Sequence, residues 1–153
     1  MIRVSAGILR REGRILICRR PAGAAFAGKW EFPGGKLKEG ESPEGALVRE
    51  LAEELDIDVQ PESLRWLETV RHSYPGGPCV ELHFFRVLDF RKEPSNRSFE
   101  RIAWVSPREA SGFDFLEADR DLVASLAAGF ELELPRASCN PVADGGPGGM
   151  EES

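Results

Sequence analysis

The chain has 153 residues, 41% of them hydrophobic, and a formal net charge of −6. That length and apolar content suit one domain with a single substantial core. The acidic balance offers no global attraction to a nucleic-acid duplex or an anionic membrane, so neither is expected as the main partner; a small phosphorylated substrate is not excluded, because bound cations reverse the local field of an acidic cleft.

Residues 3–11 and 14–20 read as two strands, and Glu12-Gly13 between them supplies the chemistry of a tight hairpin turn. From 21 to 40 the chain is rich in Gly, Ala and Pro, which predicts a long loop interrupted by a brief strand at Trp30-Glu31-Phe32. Loops of that length in compact domains are often functional. Ser42 is a good N-cap and Pro43 fits the first helical position, so a helix is predicted over 43–55. Strand-like runs return at 64–71, 79–90 and 101–105, separated by Pro75-Gly76-Gly77-Pro78 and by the polar stretch 91–98. A second helix is predicted over 118–128 from the spacing of Leu122, Val123 and Leu126. The order of elements reads as α+β, with helices packed on a mixed or antiparallel sheet. The domain is expected to span 1–134, and the Gly/Pro-rich tail 135–153 to remain unfolded.

Cys18, Cys79 and Cys139 are odd in number, far apart and in no metal-site or redox spacing. Neither a signal peptide nor a membrane-spanning run is legible. Reduced thiols and a cytoplasmic location are expected.

On a helical wheel, Leu47, Val48, Leu51, Ala52 and Leu55 fall on one side of the first helix, while Glu50, Glu53 and Glu54 share another arc. Carboxylates three and four residues apart repel one another, so something should compensate. Two readings are open at this point: a solvated face with Arg49 paired to Glu53 at i, i+4, or a hard divalent cation that takes carboxylate oxygens as ligands.

The preceding loop separates them. The segment 35–57, GKLKEGESPEGALVRELAEELDI, resembles the Nudix box: Gly35, Glu41, Arg49, Glu50, Leu51, Glu53, Glu54 and Ile57 match its signature. Six fixed identities at those spacings arise by chance in roughly a few chains per million of this length. One position departs, since the box's glycine is Asp56 here; Asp is among the few other residues that tolerate the left-handed turn such a glycine makes.

The resemblance implies a Nudix fold, a mixed sheet flanked by helices as an α/β/α sandwich, and metal-dependent cleavage of a diphosphate linkage. Glu53 and Glu54 would bind Mg²⁺ or Mn²⁺ with help from the Gly34 carbonyl. Glu50 would order the metal waters or act as the base, with Glu100 as the second candidate base, and Arg49 would orient the glutamates. For Glu41 the alternative is a loop carboxylate facing water. His83 reads as a structural histidine within a strand.

Outside the box the chain is similar to the MutT-type branch, which converts nucleoside triphosphates to monophosphate and pyrophosphate. The resemblance runs from Val4 to about Ala128, through Cys18-Arg19-Arg20-Pro21, Gly28-Lys29-Trp30-Glu31-Phe32-Pro33-Gly34-Gly35, Tyr74-Pro75 and Ala118-Asp119-Arg120. It implies a substrate-binding set of Arg20, Glu31, Phe32, Pro33, Gly34, Tyr74 and Asp119. There Arg20 contacts substrate, Phe32 and Tyr74 line a base pocket, and Asp119 reads the base edge with its carboxylate accepting two hydrogen bonds. Plain core packing is the alternative for the two aromatics, and a helix N-cap for Asp119. A small-molecule nucleotide is the expected partner, acted on by a monomer or homodimer. A diadenosine polyphosphate is the enzymatic alternative, on the spacing of Tyr74 from the box. A non-catalytic Nudix-fold module is the alternative of another class; such modules often lose box glutamates, all of which this chain keeps.

Overall fold

The computed structural model describes residues 1–129. Seven strands form one sheet: β1 (Ile2–Arg11), β2 (Arg14–Arg19), β3 (Trp30–Glu31), β4 (Gly34–Lys36), β5 (Leu64–Ser73), β6 (Cys79–Val87) and β7 (Arg101–Val105). Three helices accompany them: α1 (Pro43–Leu55), α2 (Pro107–Ala110) and α3 (Arg120–Ala127).

The β1–β2 hairpin turns on Glu12 and Gly13, both at positive φ, which matches the right-handed twist of the flanking strands. Along Ile2–Leu9, β1 pairs parallel with β6, its residues Val4–Ala6 pair antiparallel with β4, and β6 continues antiparallel to β5. Beyond the hairpin, β2 pairs antiparallel with β3 and β7. One parallel pair among antiparallel ones makes the sheet mixed.

Alternate residues of the central strands feed two cores. Ala6, Ile8, Ile15, Ile17, Leu82 and Phe84 pack with Leu122, Val123 and Leu126 of α3, whereas Leu9, Leu16, Phe85 and Val87 pack with Leu47, Leu51 and Leu55 of α1. Burial on both faces explains why these strands read as nearly continuous apolar runs rather than alternating ones. The result is the expected α+β sandwich, with α1 on one side of the sheet and α2 and α3 on the other.

Helix α1 starts and stops where its caps dictate. Ser42 Oγ accepts from Gly45 N at 3.0 Å, and Asp56 adopts the left-handed conformation at φ 58° with its N–H on Ala52 O. The last carbonyls of the helix, Glu54 O and Leu55 O, accept from Arg97 N at 3.0 Å and Ser95 N at 2.8 Å, so the polar stretch before β7 closes the helix end. Asp56 pairs with Arg97 at 3.1 Å and Lys92 at 3.5 Å.

Several expected boundaries shift. Strand β4 falls inside the expected long loop, because pairing with β1 rather than side-chain propensity selects its extended backbone. The run 79–90 ends as a strand at Val87, where β6 loses its partner β5. The helix expected at 118 begins at Arg120, after a single 3-10 turn over Glu117–Asp119. Helix α2 was not expected, although Ser106 and Glu109 form a capping box that the sequence spells out. The tail expected to stay unfolded, and Cys139 with it, lies outside the described residues. Among the described residues no helix is long and apolar enough to cross a membrane, and Cys18 and Cys79 are free.

Candidate active site

Glycines bring the acidic helix against the sheet. Gly34 pairs with Ala6 at φ 150°, and a β-carbon there would overlap the Ser5 carbonyl oxygen. At Gly35 a β-carbon would overlap the Glu50 carboxyl group. Only hydrogen at these positions allows β4 to lie under the carboxylates of α1. Ser5, fully buried, donates from Oγ to the Pro43 carbonyl at 2.8 Å and pins the start of α1 to β1.

One arginine compensates most of the acidic front. Arg49 donates from Nε and Nη2 to Glu41 at 2.7 and 2.9 Å, from Nη1 to Glu50 at 3.0 Å and Glu53 at 3.3 Å, and from Nη2 to the Lys36 carbonyl at 3.0 Å. The i, i+4 pair anticipated from sequence is thus present as one arm of a larger fork. Glu41 does not simply face water: the hydrogen bonds from Arg49 and from Lys38 N hold its carboxyl at about 2.

Glu54 is left out of this fork. Its carboxyl accepts a hydrogen bond from Gly34 N at 3.2 Å. Burial first, then the nearby Glu50, push its carboxyl up to about 8. A half-buried carboxyl group with no counter-charge of its own, beside a second carboxyl group, is what a hard divalent cation compensates, so this donor set fits such an ion. Among the described residues no three acidic, imidazole or thiol side chains converge tightly enough to ligate one ion as they stand; Glu50 and Glu53 are turned to Arg49.

Glu50 and Glu54 open onto a cavity of about 440 Å³, within the range of small-molecule sites. Arg20, Glu31, Phe32, Gly34, Tyr74 and Asp119 line it too. Arg20 Nη1 bridges both oxygens of Glu31 at 3.1 and 3.0 Å. Burial nevertheless holds the Glu31 carboxyl above its ordinary value. Asp119 is 3% exposed, and desolvation pushes its carboxyl well up. Although Asp119 precedes α3, its side chain makes no capping hydrogen bond. Phe32 packs edge-on to Phe84 at 6.3 Å and tilted on Phe115 at 5.4 Å, so it serves core and cavity together.

Four expected site residues do not reach the cavity wall. Arg49 acts behind it, Glu53 is 56% exposed on the outer side of the helix, and Pro33 is buried with its carbonyl accepting from Gly7 N at 2.8 Å. Glu100 faces Arg19 Nη1 at 3.6 Å at the start of β7. His83 is satisfied by Thr69 and Glu81, both at 3.1 Å, as a structural histidine should be. The sequence reading missed Ser5, whose role depends on β1 and α1 meeting, and Phe26, which lines the cavity mouth.

A mixed sheet that sets an acidic helix beside a nucleotide-sized cavity lined also by an arginine and further carboxyl groups makes a site suited to phosphate chemistry. Comparison with known proteins gives the family. The NUDIX domain model matches residues 1–126. CTP pyrophosphohydrolase of Escherichia coli (strain K12) is 37% identical over 128 residues, 84% of this chain and 93% of that protein. The 8-oxo-dGTP diphosphatase of the same organism is 37% identical over 126 residues, 82% of this chain and 95% of that protein. A solved MutT structure from work on Aliivibrio salmonicida and Vibrio cholerae superposes with a TM-score of 0.70 at 32% identity, covering 84% of this chain and 98% of that one. The chain belongs to the Nudix family of hydrolases. Nudix hydrolases generally need a divalent metal.

Proposed function

We propose that the protein hydrolyses a nucleoside triphosphate to the monophosphate and pyrophosphate, clearing unwanted nucleotides from the cytoplasmic pool. The observation that carries this reading is the placement of Glu54, a half-buried carboxyl group without a cationic partner, in the same cavity as Arg20, Phe32, Tyr74 and Asp119.

Glu50, Glu53, Glu54 and the Gly34 carbonyl would hold Mg²⁺ or Mn²⁺. Bound there, a divalent cation would supply charge neutralisation at the diphosphate oxygens and a lowered pKa for water. Glu50 takes the proton as the water oxygen bonds to phosphorus and the phosphoanhydride bond opposite breaks, releasing pyrophosphate. Arg49 fixes the orientation of Glu50 through the 3.0 Å pair while Glu41 holds Arg49 from behind. Arg20 meets the substrate at the mouth, and Phe32 and Tyr74 flank the base.

Asp119 bears on base choice. Burial favours the protonated form of its carboxyl group, which offers an O–H donor beside a carbonyl acceptor rather than the two acceptors of a carboxylate. That pair complements an amino group next to an unprotonated ring nitrogen, as on cytosine, and supports a CTP-like substrate as well as the 8-oxo-dGTP that the second relative's name carries.

The test is a panel of CTP, dCTP, 8-oxo-dGTP, the other normal triphosphates, diadenosine tetraphosphate and ADP-ribose, with Mg²⁺, compared by kcat/KM. Highest kcat/KM for a triphosphate, with pyrophosphate released, is expected; preference for the dinucleotides would overturn the base-pocket assignment, and no turnover of any would overturn the activity.

A further inference from the structure

Four large apolar side chains are strongly exposed among the described residues, and Phe26, at 44%, is the one of these that lines the cavity. Its backbone is also unusual. At φ 56° it sits in the left-handed region, which a bulky residue occupies only when its surroundings impose it, and such residues cluster at ligand sites.

The surroundings here are a short loop closed at its neck. Arg20 N donates to Lys29 O at 2.8 Å and Gly28 N to Arg20 O at 3.0 Å; within the loop, Lys29 N reaches the Phe26 carbonyl at 3.1 Å and Arg20 Nε the Ala25 carbonyl at 2.6 Å. The same guanidinium holds Glu31, so one arginine ties the loop tip to the polar wall of the cavity. The Phe26 ring leans on Tyr74, centroids 4.8 Å apart at 40°, and Tyr74 meets His72 edge-on at 4.4 Å. Tyr74 is anchored through its backbone, its N donating to the Pro78 carbonyl at 3.1 Å and its carbonyl accepting from Gly77 N at 2.9 Å, and it lines the cavity with Ala118 and Asp119. The loop therefore holds an exposed ring against an anchored one at the mouth of a cavity whose far end carries hydrogen-bonding groups. A planar heterocycle whose edge reaches Asp119 would cover that ring, and base–aromatic stacking tolerates any base because each has a π-face.

Resting on the nucleoside triphosphate reading, we propose that Phe26 is a nucleobase-binding residue, stacking on the face of the substrate's base at the cavity mouth beside Tyr74. Its contribution is affinity for the base and not chemistry at phosphorus.

Phe26→Gly removes the ring and also relieves the positive φ, while Phe26→Trp keeps a stacking surface. KM and kcat are measured with CTP and with 8-oxo-dGTP, and Kd by calorimetry for CMP, 8-oxo-dGMP and ribose 5-phosphate, which has no base. For F26G, KM for the better triphosphate and Kd for its monophosphate should rise about tenfold. Its kcat, its ribose 5-phosphate affinity and its Tm should be undiminished, and F26W should bind like the wild type. Unchanged nucleotide affinity in F26G, an equal loss for ribose 5-phosphate, or F26W as weak as F26G would overturn the proposal. Wild-type protein that turns over neither triphosphate would overturn the functional reading and this one with it, whereas normal wild-type turnover beside an unaltered F26G would remove the stacking role alone.

Discussion

Exchange of Glu54 for glutamine separates the stability of the metal-free protein from its activity, because the two should move in opposite directions. Burial and the neighbouring Glu50 hold the Glu54 carboxyl near 8 in the folded chain against its ordinary 4.5. The folded state therefore binds a proton that the unfolded state releases. The associated stability is complete below pH 4.5, is lost progressively as pH rises from 4.5 to about 8, and is gone above that. At pH 7 the interval crossed is 7 − 4.5, about 2.5 pH units, equivalent to roughly 3 kcal/mol at ~1.36 kcal/mol per unit, which residual solvent contact lowers to roughly 2 kcal/mol. Glutamine keeps the shape and the acceptor for Gly34 N without the charge. In EDTA at pH 8, E54Q should melt roughly 6–10 °C above the wild type, with the gap closing by pH 5. Added Mg²⁺ should raise the wild-type Tm and leave E54Q nearly unmoved. Pyrophosphate release should fall by at least about a hundredfold. The reasoning fails if the two proteins melt together in EDTA at pH 8, or if E54Q keeps Mg²⁺-dependent turnover.

Three further outcomes are expected. Gly35→Ala places a methyl group into the Glu50 carboxyl, so kcat should drop by about a hundredfold while Tm changes little, since the obstructed group is a side-chain end free to turn away; equal kcat values would contradict this placement of Glu50. Asp56→Gly trades relief of the left-handed backbone, about 1 kcal/mol, against exposed pairs to Lys92 and Arg97 of a few tenths each, so activity should persist with stability neutral or slightly raised in urea unfolding, and loss of turnover with the fold intact would refute it. Asp119→Asn presents the same donor and acceptor pair as a neutral carboxyl group, so the ranking of bases in the panel should survive; a reversed ranking would mean that Asp119 works as a carboxylate.

What could be read from the chain and what could not follows from the range over which each feature is determined. The acidic and oily sides of α1 were legible because Glu50, Glu53 and Glu54 and the leucines opposite are fixed by helical periodicity within thirteen residues, between caps at Ser42 and Asp56 that the sequence also names. The division of labour among those glutamates was not legible. Equal in the periodic pattern, they differ because β4 lies beneath the helix on Gly34 and Gly35, where Glu54 meets Gly34 N at the cavity while Arg49 collects Glu41, Glu50 and Glu53, of which Glu50 also lines the cavity. The base pocket lies further from local rules still. Its walls come from β1, the Arg20–Lys29 loop, β3, the β5–β6 turn, β6 and the turn before α3, so Phe26, Glu31, Tyr74 and Asp119 meet only once the sheet has brought β1, β6 and β5 side by side. Asp119 shows the consequence. Beside a helix start its residue type reads as a cap, yet the hydrophobic burial of α3 against the sheet carries it to the cavity wall, where its side chain caps nothing and loss of water pushes its carboxyl group well up. Chemistry written along one helix is therefore robust to small changes elsewhere, whereas base selectivity, assembled from several separate segments, is the property that a few substitutions in any of them can redirect.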